Sequence, residues 1–237
     1  MASIPQKNRI LLKLSGEALS DGPQKYSEKV LSDVATKIKS LLEQDKQICL
    51  VIGGGNLFRG AELSGMLDIK RPTADYIGMI ATVQNALVVR DYFHTQGVDA
   101  RVLSAISMNQ VCEPYVPGRA IRHMEKGRVV IFAGGLGNPF FTTDSAAAQR
   151  ALEMNCSLLV MAKNGVDGVY TKDPRTHDDA EKIERIKGSD VLEQNLKVVD
   201  GSAISIARDN RLPIHIIAMS DLEHIGNESV GTVVSPE

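Results

Sequence analysis

Residues 48–60, ICLVIGGGNLFRG, decide the fold. The first five residues are apolar and three glycines follow at once, which predicts a buried strand that runs into an open loop. A strand buried on both faces is typical of a parallel sheet with helices on either side. The glycines let several backbone N–H groups approach one anion, and Arg59 would add a bidentate donor for phosphate.

Short apolar runs alternate with amphipathic helical patterns on both sides of this stretch. The predicted strands are residues 10–12, 48–52, 101–103, 129–132, 158–161, 213–217 and 232–234, the last at a sheet edge. The predicted helices are residues 27–44, 73–96, 119–125, 142–154 and 201–211. This β-α-β-α order predicts an α/β protein with a mainly parallel sheet between layers of helices.

The alternation breaks between residues 163 and 188, where the chain is polar, charged and rich in turn residues. This segment predicts a hairpin with its turn at Asp167 and Gly168, followed by an exposed excursion. No linker, repeat or low-complexity block is visible elsewhere, so residues 1–237 are predicted to form a single domain.

Composition excludes several classes of protein. Lys and Arg number 27 against 29 Asp and Glu, so no net basic field attracts nucleic acid or an anionic membrane. The three cysteines and five histidines lack the spacing of a disulfide framework or a zinc site. No secretory h-region is present, and no apolar run approaches the roughly 18 residues that span a bilayer. We therefore expect a cytoplasmic protein without nucleic-acid or membrane partners.

The familiar glycine motifs of nucleotide-binding proteins are missing from the sequence. There is no G-x-x-x-x-G-K-[ST], and neither GGGNLF nor GGLGNPF has the third glycine of G-x-G-x-x-G. No G-x-S-x-G or H-E-x-x-H occurs either.

Three glycine-rich turns nevertheless follow predicted strands, at residues 13–16, 53–55 and 134–138. The carboxyl ends of parallel strands meet at one edge of a sheet, so these turns should border one crevice. One such turn alone would only permit a tight bend. Several turns together, with Lys13 and Arg59 among them, favour a site for phosphates.

A further anion site is predicted at the start of the alanine-rich helix. One of Thr142, Thr143 and Asp144 should cap this helix, and its first N–H groups and dipole favour an anion. Phe140 and Phe141, just before it, either pack in the core or form walls for a nucleotide base.

Several charged residues have two interpretations each. Lys13 interrupts an apolar strand and needs an acid partner if it is buried, with Asp144 and Asp200 as the candidates. Asp200 could equally cap its own helix. Asp75, in the first turn of its predicted helix, either complements the helix dipole or accepts hydrogen bonds from ribose hydroxyls. Tyr170 and Asp173 could line a base pocket.

Four segments together resemble a known family: ILLKLSGEAL, VIGGGNLFRG, GNPFFTTDSAA and VDGVYTKDP. Their order and spacing, from about residue 10 to residue 234, resemble the bacterial-type uridylate kinases of the amino acid kinase superfamily. The resemblance implies a three-layer αβα sandwich around a mostly parallel sheet of about eight strands. It also implies a cytoplasmic homohexamer that converts ATP and UMP to ADP and UDP in pyrimidine nucleotide biosynthesis, with Mg²⁺ held mainly by the ATP phosphates.

The same resemblance assigns roles to individual residues. The implied catalytic residues are Lys13, Arg59, Asp144 and Asp200, the two acids orienting Lys13 and the magnesium. The implied ATP contacts are Lys13, Leu14, Ser15, Gly16, Gly55, Arg59, Asn164, Tyr170 and Asp173. The implied UMP contacts are Gly54, Asp75, Leu136, Gly137, Asn138, Pro139, Phe140, Phe141, Thr142 and Thr143. Family members often carry threonine in place of Asn164, and TGN where this chain has LGN.

In some relatives a distant basic cluster serves activation by GTP, and UTP inhibits. Arg90, His94, Arg101 and Arg128 resemble that cluster, although Pro117 stands where an aromatic residue is common. The alternative is that these are ordinary charged positions on helices and interfaces.

Two other functions remain open at this level. A kinase of the same superfamily could act on an amino-acid carboxylate such as aspartate or glutamate, but it would not need GNPFFTTD together with Asp75. A non-catalytic nucleotide-binding subunit would not need Lys13, Asp144 and Asp200 together.

Overall fold

The computed structural model describes residues 8–58, 68–172, 174, 176–196 and 198–237. The strands are β1 (Arg9–Leu14), β2 (Gln47–Ile52), β3 (Ala100–Ser104), β4 (Glu113–Pro114), β5 (Val129–Ala133), β6 (Leu158–Lys163), β7 (Val169–Tyr170), β8 (Lys182–Ile183), β9 (Arg185–Lys187), β10 (Ile214–Ala218) and β11 (Thr232–Ser235). The α-helices are α1 (Glu28–Glu43), α2 (Arg71–Thr95), α3 (Pro117–Glu125), α4 (Thr143–Glu153), α5 (Gly188–Glu193) and α6 (Gly201–Asp209).

A single sheet of nine strands organises the described residues, in the order β4-β3-β5-β2-β1-β6-β10-β11-β9. Neighbouring strands are parallel, except for the antiparallel pair β10–β11. The α/β class and the mostly parallel sheet predicted from the sequence are confirmed, with nine strands where about eight were expected. β1 and β2 lie near the centre, so the loops that follow them are placed side by side.

Alternate residues of the central strands serve two separate cores. Leu12 and Leu50 pack with α1 and α2 on one face, whereas Leu11 and Cys49 pack with α3, α4 and α6 on the other. The central strands are apolar on both faces, so each face of the sheet must be covered by helices. This gives the three-layer arrangement.

The helices begin and end where local chemistry allows. Ser27 caps α1 by accepting a hydrogen bond from Val30 N at 3.4 Å, and the buried face repeats at helical spacing through Leu31, Val34 and Ile38. Thr142 caps α4 by accepting from Ser145 N at 3.3 Å. The small alanine side chains of α4 let its backbone pack closely against the sheet.

Two local predictions are wrong. Residues 232–234 do not form an edge strand, because β9 pairs with β11 on its outer side through Ile186 and Val234. β9 was not predicted from the sequence, because it has three residues and two of them are exposed and basic, so it lacks an apolar run. Asp167 and Gly168 do not form the hairpin turn either, because they precede β7, which pairs with β8 across residues 171–181.

No helix within the described ranges is long and apolar enough to cross a membrane. Cys49, Cys112 and Cys156 are free thiols.

His215 on β10 is a buried titratable group away from the glycine-rich loops. Its Nδ1 accepts a hydrogen bond from Gly226 N at 3.3 Å, so its Nε2 carries the proton and donates to Val230 O at 2.6 Å. Burial lowers the pKa of His215, against a smaller opposing effect of the Val230 carbonyl and Glu228. The neutral ring is therefore the form that this fold accommodates.

We expect the free energy of unfolding to fall as the pH drops below the ordinary histidine pKa of 6.5. The sign follows because the unfolded chain takes up this proton at a higher pH than the folded chain does. Urea denaturation of the wild type and of His215→Gln, at pH 7, 6 and 5, measures the effect. The variant should lose less stability over this range, and equal losses in both proteins would show that His215 does not contribute.

Candidate active site

The loops after β1 and β2 meet backbone to backbone at the carboxyl edge of the sheet. A Cβ on Gly16 would lie 2.6 Å from Gly55 N and 2.7 Å from Gly53 O, which no side chain could tolerate. A Cβ on Gly53 would lie 3.6 Å from Thr143 Oγ1, at the start of α4. Two of the three glycine-rich turns that were predicted to border one crevice therefore meet, and the start of α4 lies beside them.

Helix α2 holds these loops through buried polar side chains that the sequence analysis missed. Asn85 Nδ2 donates to Gly53 O at 2.7 Å and to Asn56 Oδ1 at 2.7 Å, while Asn85 Oδ1 accepts from Tyr26 at 2.9 Å. Thr82 Oγ1 accepts from Gly134 N at 2.8 Å, which fixes the start of the loop after β5. Asn85 and Thr82 could have been predicted from the sequence, because each is a polar residue on an apolar helix face. Buried polar groups of this kind are nearly always hydrogen-bonded.

A cavity of about 220 Å³ opens between α2, the loop after β2, the loop after β5 (residues 134–142) and the start of α4. Its lining includes the predicted residues Gly54, Gly55, Asp75, Leu136, Asn138, Phe141, Thr142 and Thr143. Gly137, Pro139 and Phe140 belong to the same loop but do not line the cavity. Arg71 and Thr82 line it and had not been predicted.

Asp75 points at the loop after β5 and not along its helix. Because α2 begins at Arg71, Asp75 lies beyond the first turn, and the predicted interaction with the helix dipole is wrong. Its Oδ2 accepts from Phe140 N at 2.8 Å, and its Oδ1 accepts from Arg71 Nε at 2.8 Å. Phe140 has a φ of 71°, unfavourable for a bulky residue, so this bond helps to hold a strained backbone.

The two phenylalanines before α4 are not core residues. Phe140 is 67% exposed and Phe141 is 52% exposed, and the Arg71 guanidinium lies 5.8 Å from the Phe140 ring centroid. The core-packing interpretation is therefore wrong, and of the two rings Phe141 lines the cavity.

Asp144 is the buried acid partner that Lys13 requires. Lys13 Nζ lies 2.7 Å from Asp144 Oδ1, and Lys163 Nζ lies 3.7 Å from Asp144 Oδ2. Burial raises the pKa of Asp144, but Lys13 and Lys163 outweigh it and hold the pKa below its usual range. Asp200 opens α6 without capping it by its side chain, and its backbone N donates to Asp144 Oδ2 at 3.4 Å.

Lys163 was also missed, although it ends β6 much as Lys13 ends the apolar run of β1. Burial lowers the pKa of Lys163, and the positive charge of the nearby Lys13 lowers it further. The Asp144 carboxylate acts in the opposite direction and raises this pKa. Two lysines thus share one carboxylate, and the nearby Asp200 also favours the charged form of Lys163.

Lys163 also lines a second cavity of about 560 Å³ beyond the ends of β6 and β10. Asn164 and Tyr170, two of the predicted nucleotide contacts, lie in its wall. Asp144, at the start of α4, therefore connects the two cavities: α4 begins at the edge of the 220 Å³ cavity, and Lys163, which pairs with Asp144, lines the 560 Å³ cavity. Arg59 and Asp173 lie outside the described residues.

Three of the four residues of the predicted distant cluster come together. Arg90, His94 and Arg101 line a cavity of about 680 Å³. Arg128 is not in this lining, but its Nε lies 2.9 Å from Asp99, which also pairs with Arg101. Asp91 pairs with Arg90 at 2.8 Å, so carboxylates offset part of the positive charge.

Chemically, the arrangement suits two phosphate-bearing ligands that meet at Lys13. The start of the eleven-residue helix α4 and two lysines favour anions at the edge of the sheet where the glycine-rich loops meet. The smaller cavity borders the start of α4, which carries Asp144, and Lys163, which pairs with Asp144, lines the larger one.

Gly16→Ala should destabilise the protein by roughly 3 kcal/mol, because the new methyl group meets backbone atoms that cannot move aside. Differential scanning calorimetry gives the change in Tm. Gly118→Ala on α3 is the matched control, since its Cβ would have nothing within 4 Å and alanine favours a helix. Equal Tm values for the two variants would contradict the close approach of the loops.

Comparison with known proteins places these features in a family. Residues 8–218 match the model of the amino acid kinase family. The uridylate kinase of Ruegeria sp. (strain TM1040) is 50% identical over 224 residues, covering 93% of this chain and 89% of that protein. The uridylate kinase of Leifsonia xyli subsp. xyli is 46% identical over 234 residues, covering 99% and 98%.

Solved structures agree with the sequence matches. The crystal structure of UMP kinase from Bacillus anthracis superposes with a TM-score of 0.92 at 39% identity, covering 97% of this chain and 96% of that one. UMP kinase from Ureaplasma parvum gives a TM-score of 0.89 at 34% identity, covering 97% and 99%. This chain belongs to the amino acid kinase family.

Proposed function

We propose that this protein is a UMP kinase that transfers the γ-phosphoryl group of ATP to UMP, giving ADP and UDP. The observation that carries the proposal is the cavity in which the Asp75 carboxylate and the capped start of α4 border the same space. A carboxylate suits ribose hydroxyls and a helix start suits a phosphate, so together they fit a nucleoside monophosphate. The names of the full-length relatives point to the same substrate.

UMP would occupy the cavity beside α2. Asp75 would accept hydrogen bonds from the ribose, for which the Arg71 and Phe140 contacts leave acceptor positions on its two oxygens. Thr142 and Thr143 would donate to the phosphate, and Gly54 would let it approach the backbone. The loop residues 136–141 would border the base.

ATP would occupy the cavity beyond β6. Asn164, Tyr170 and Asp173 would contact the adenine nucleotide, and residues 13–16 with Gly55 would face its phosphates. Lys13 would then stand where the two nucleotides meet, because it pairs with Asp144 next to Thr143.

The transfer needs alignment and charge stabilisation, and no protein nucleophile. A phosphate oxygen of UMP attacks the γ-phosphorus of ATP, the bond from that phosphorus to the β–γ bridging oxygen breaks, and ADP leaves with the electron pair. Lys13 and Arg59 would stabilise negative charge on the group in transit. Asp144 orients Lys13, since the two are held 2.7 Å apart in a buried pair.

Magnesium fits the residues present only as an ion held mainly by the nucleotide. Among the described residues no group of three or more His, Cys, Asp or Glu side chains could hold a metal. Asp144 and Asp200 adjoin each other, which suits the one or two carboxylates that accompany phosphates and water around Mg²⁺. When bound, the ion would neutralise phosphate charge during transfer.

A coupled assay of ADP release tests the proposal with UMP, CMP, aspartate and glutamate as acceptors. We expect UMP and CMP to be preferred over aspartate and glutamate, because Asp75 and the α4 start together require a ribose and a phosphate. UMP should have the highest kcat/KM of the four, as the names of the relatives indicate. Preference for aspartate or glutamate would indicate an amino-acid kinase. ATP binding without turnover of any acceptor would indicate a regulatory subunit.

Lys13→Ala should lower kcat by about 100-fold or more while the protein stays folded. The reason is the loss of a cation at the transferred group, whereas Asp144 keeps Lys163 as a partner. Lys39→Ala, an exposed lysine on α1, is the control and should turn over normally. The assay is paired with circular dichroism, and near-normal turnover of Lys13→Ala would remove Lys13 from the catalytic residues.

We also propose a homohexamer that GTP activates and UTP inhibits, in the cytoplasm and with one domain per chain. The clustering of Arg90, His94 and Arg101 around one cavity supports an anionic effector. Tyr76 and Ile80 expose apolar surface on α2, which suits an interface between copies. Light scattering gives the mass, and the ADP assay with added GTP or UTP gives the response.

A further inference from the structure

Arg150, in the last turn of α4, is a buried arginine that no step of the proposed reaction uses. Its side chain is 7% exposed, and its Nη1 lies 2.6 Å from Glu153 Oε2. Its guanidinium carbon lies 3.8 Å from the centroid of the Tyr115 ring, and the Tyr115 hydroxyl donates to the same Glu153 oxygen. These three side chains form a compact set that is hydrogen-bonded within itself.

A hydrogen bond from Arg150 connects this set to the loop after β5. Arg150 Nη2 donates to Gly135 O at 3.3 Å, and Gly135 lines the cavity proposed for UMP. Arg150 is absent from that lining, so it acts on the cavity through the loop and not by touching a ligand.

The loop is held by side chains at three points. Thr82 binds Gly134 N at its start, Asp75 binds Phe140 N near its end, and Arg150 binds Gly135 O from the opposite side. The first two come from α2, so Arg150 is the side chain that ties the loop to α4, whose first turn is the proposed phosphate seat.

Charge favours this arrangement at neutral pH. Burial raises the pKa of Glu153, but hydrogen bonds from Tyr115, Gln149 and Arg150 outweigh it and keep the pKa below its usual range. Burial and the bond to Glu153 raise the pKa of Tyr115, so the phenol stays neutral. Arginine is suited to the position because its planar fork reaches the carboxylate and the carbonyl at once.

We propose that Arg150 is a positioning residue for the phosphate acceptor: it holds the loop after β5 against α4 and thereby sets the affinity for UMP. The proposal rests on the assignment of the smaller cavity to UMP. A purely structural ion pair would not need the bond to Gly135, and apolar residues often replace such pairs without loss of stability.

Steady-state kinetics of Arg150→Met and Arg150→Lys test this role. Arg150→Met should raise the KM for UMP by about 10-fold, the factor that a hydrogen bond to a charged group is worth. The kcat at saturating UMP and the KM for ATP should stay within about twofold of the wild type, because Lys13 and the ATP cavity are untouched. The KM of Arg150→Lys for UMP should lie between those of the wild type and Arg150→Met, since one ammonium cannot bind the Glu153 carboxylate and the Gly135 carbonyl in the same geometry.

Gln149→Met is the matched control. It removes another hydrogen bond to Glu153, of 3.1 Å, and leaves the bond from Arg150 to Gly135 in place. Its KM for UMP should be that of the wild type. Equal KM values for the Arg150 variants and the wild type, or a common fall in kcat with a rise in both KM values, would overturn the proposal.

Amide hydrogen exchange separates this proposal from the assignment of UMP as substrate. Without nucleotide, residues 134–141 should exchange faster in Arg150→Lys than in the wild type and in Gln149→Met. If exchange is faster in Arg150→Lys but the wild type does not phosphorylate UMP, the assignment of UMP is refuted and the role of Arg150 in holding the loop stands. If exchange is unchanged, that role of Arg150 is refuted, whatever the substrate is. Arg150→Lys alone is sufficient for this test if Arg150→Met does not fold.

Discussion

The close approach of the two glycine loops, at Gly16 and at residues 53–55, is the contact on which the rest of the site depends. Parallel pairing of β1 with β2 puts the loops side by side, and only residues without a side chain let their backbones touch. The contact places Gly53 beside the start of α4, since a Cβ there would lie 3.6 Å from Thr143 Oγ1, while the Glu17 carboxylate lies against Gly55.

Helix α2 keeps that edge in shape. Its buried Thr82 and Asn85 bind backbone groups of two different loops, and Asp75 binds the far end of one of them. The bonds to Gly134 N and Gly53 O are buried, and the loss of a hydrogen-bond partner there costs about 1–3 kcal/mol. The polar network thus makes the positions of the loops specific, and a ligand would meet a site that is already assembled.

Buried charge sets the chemistry at the centre. Lys13 and Lys163 share Asp144, so one carboxylate orients both ammonium groups. Two cations held in fixed positions suit a reaction in which several phosphates must come close together. Arg150 is also a buried cation that a carboxylate orients. Its charge is paired with Glu153, and its remaining N–H donor binds the loop after β5.

The sequence by itself determined the α/β class, the central strands, the capped start of α4 and the meeting of two glycine turns, because these depend on local periodicity and on the geometry of parallel strands. It also indicated Asp144 and Asp200 as candidate partners for Lys13, between which the structure selects Asp144. Only the tertiary structure decided that β9 is the edge strand, that Phe140 and Phe141 are exposed, and that Asn85, Lys163 and Arg150 contact the site. Those contacts join elements far apart in the chain, and no local pattern records which distant backbone group a polar side chain will meet.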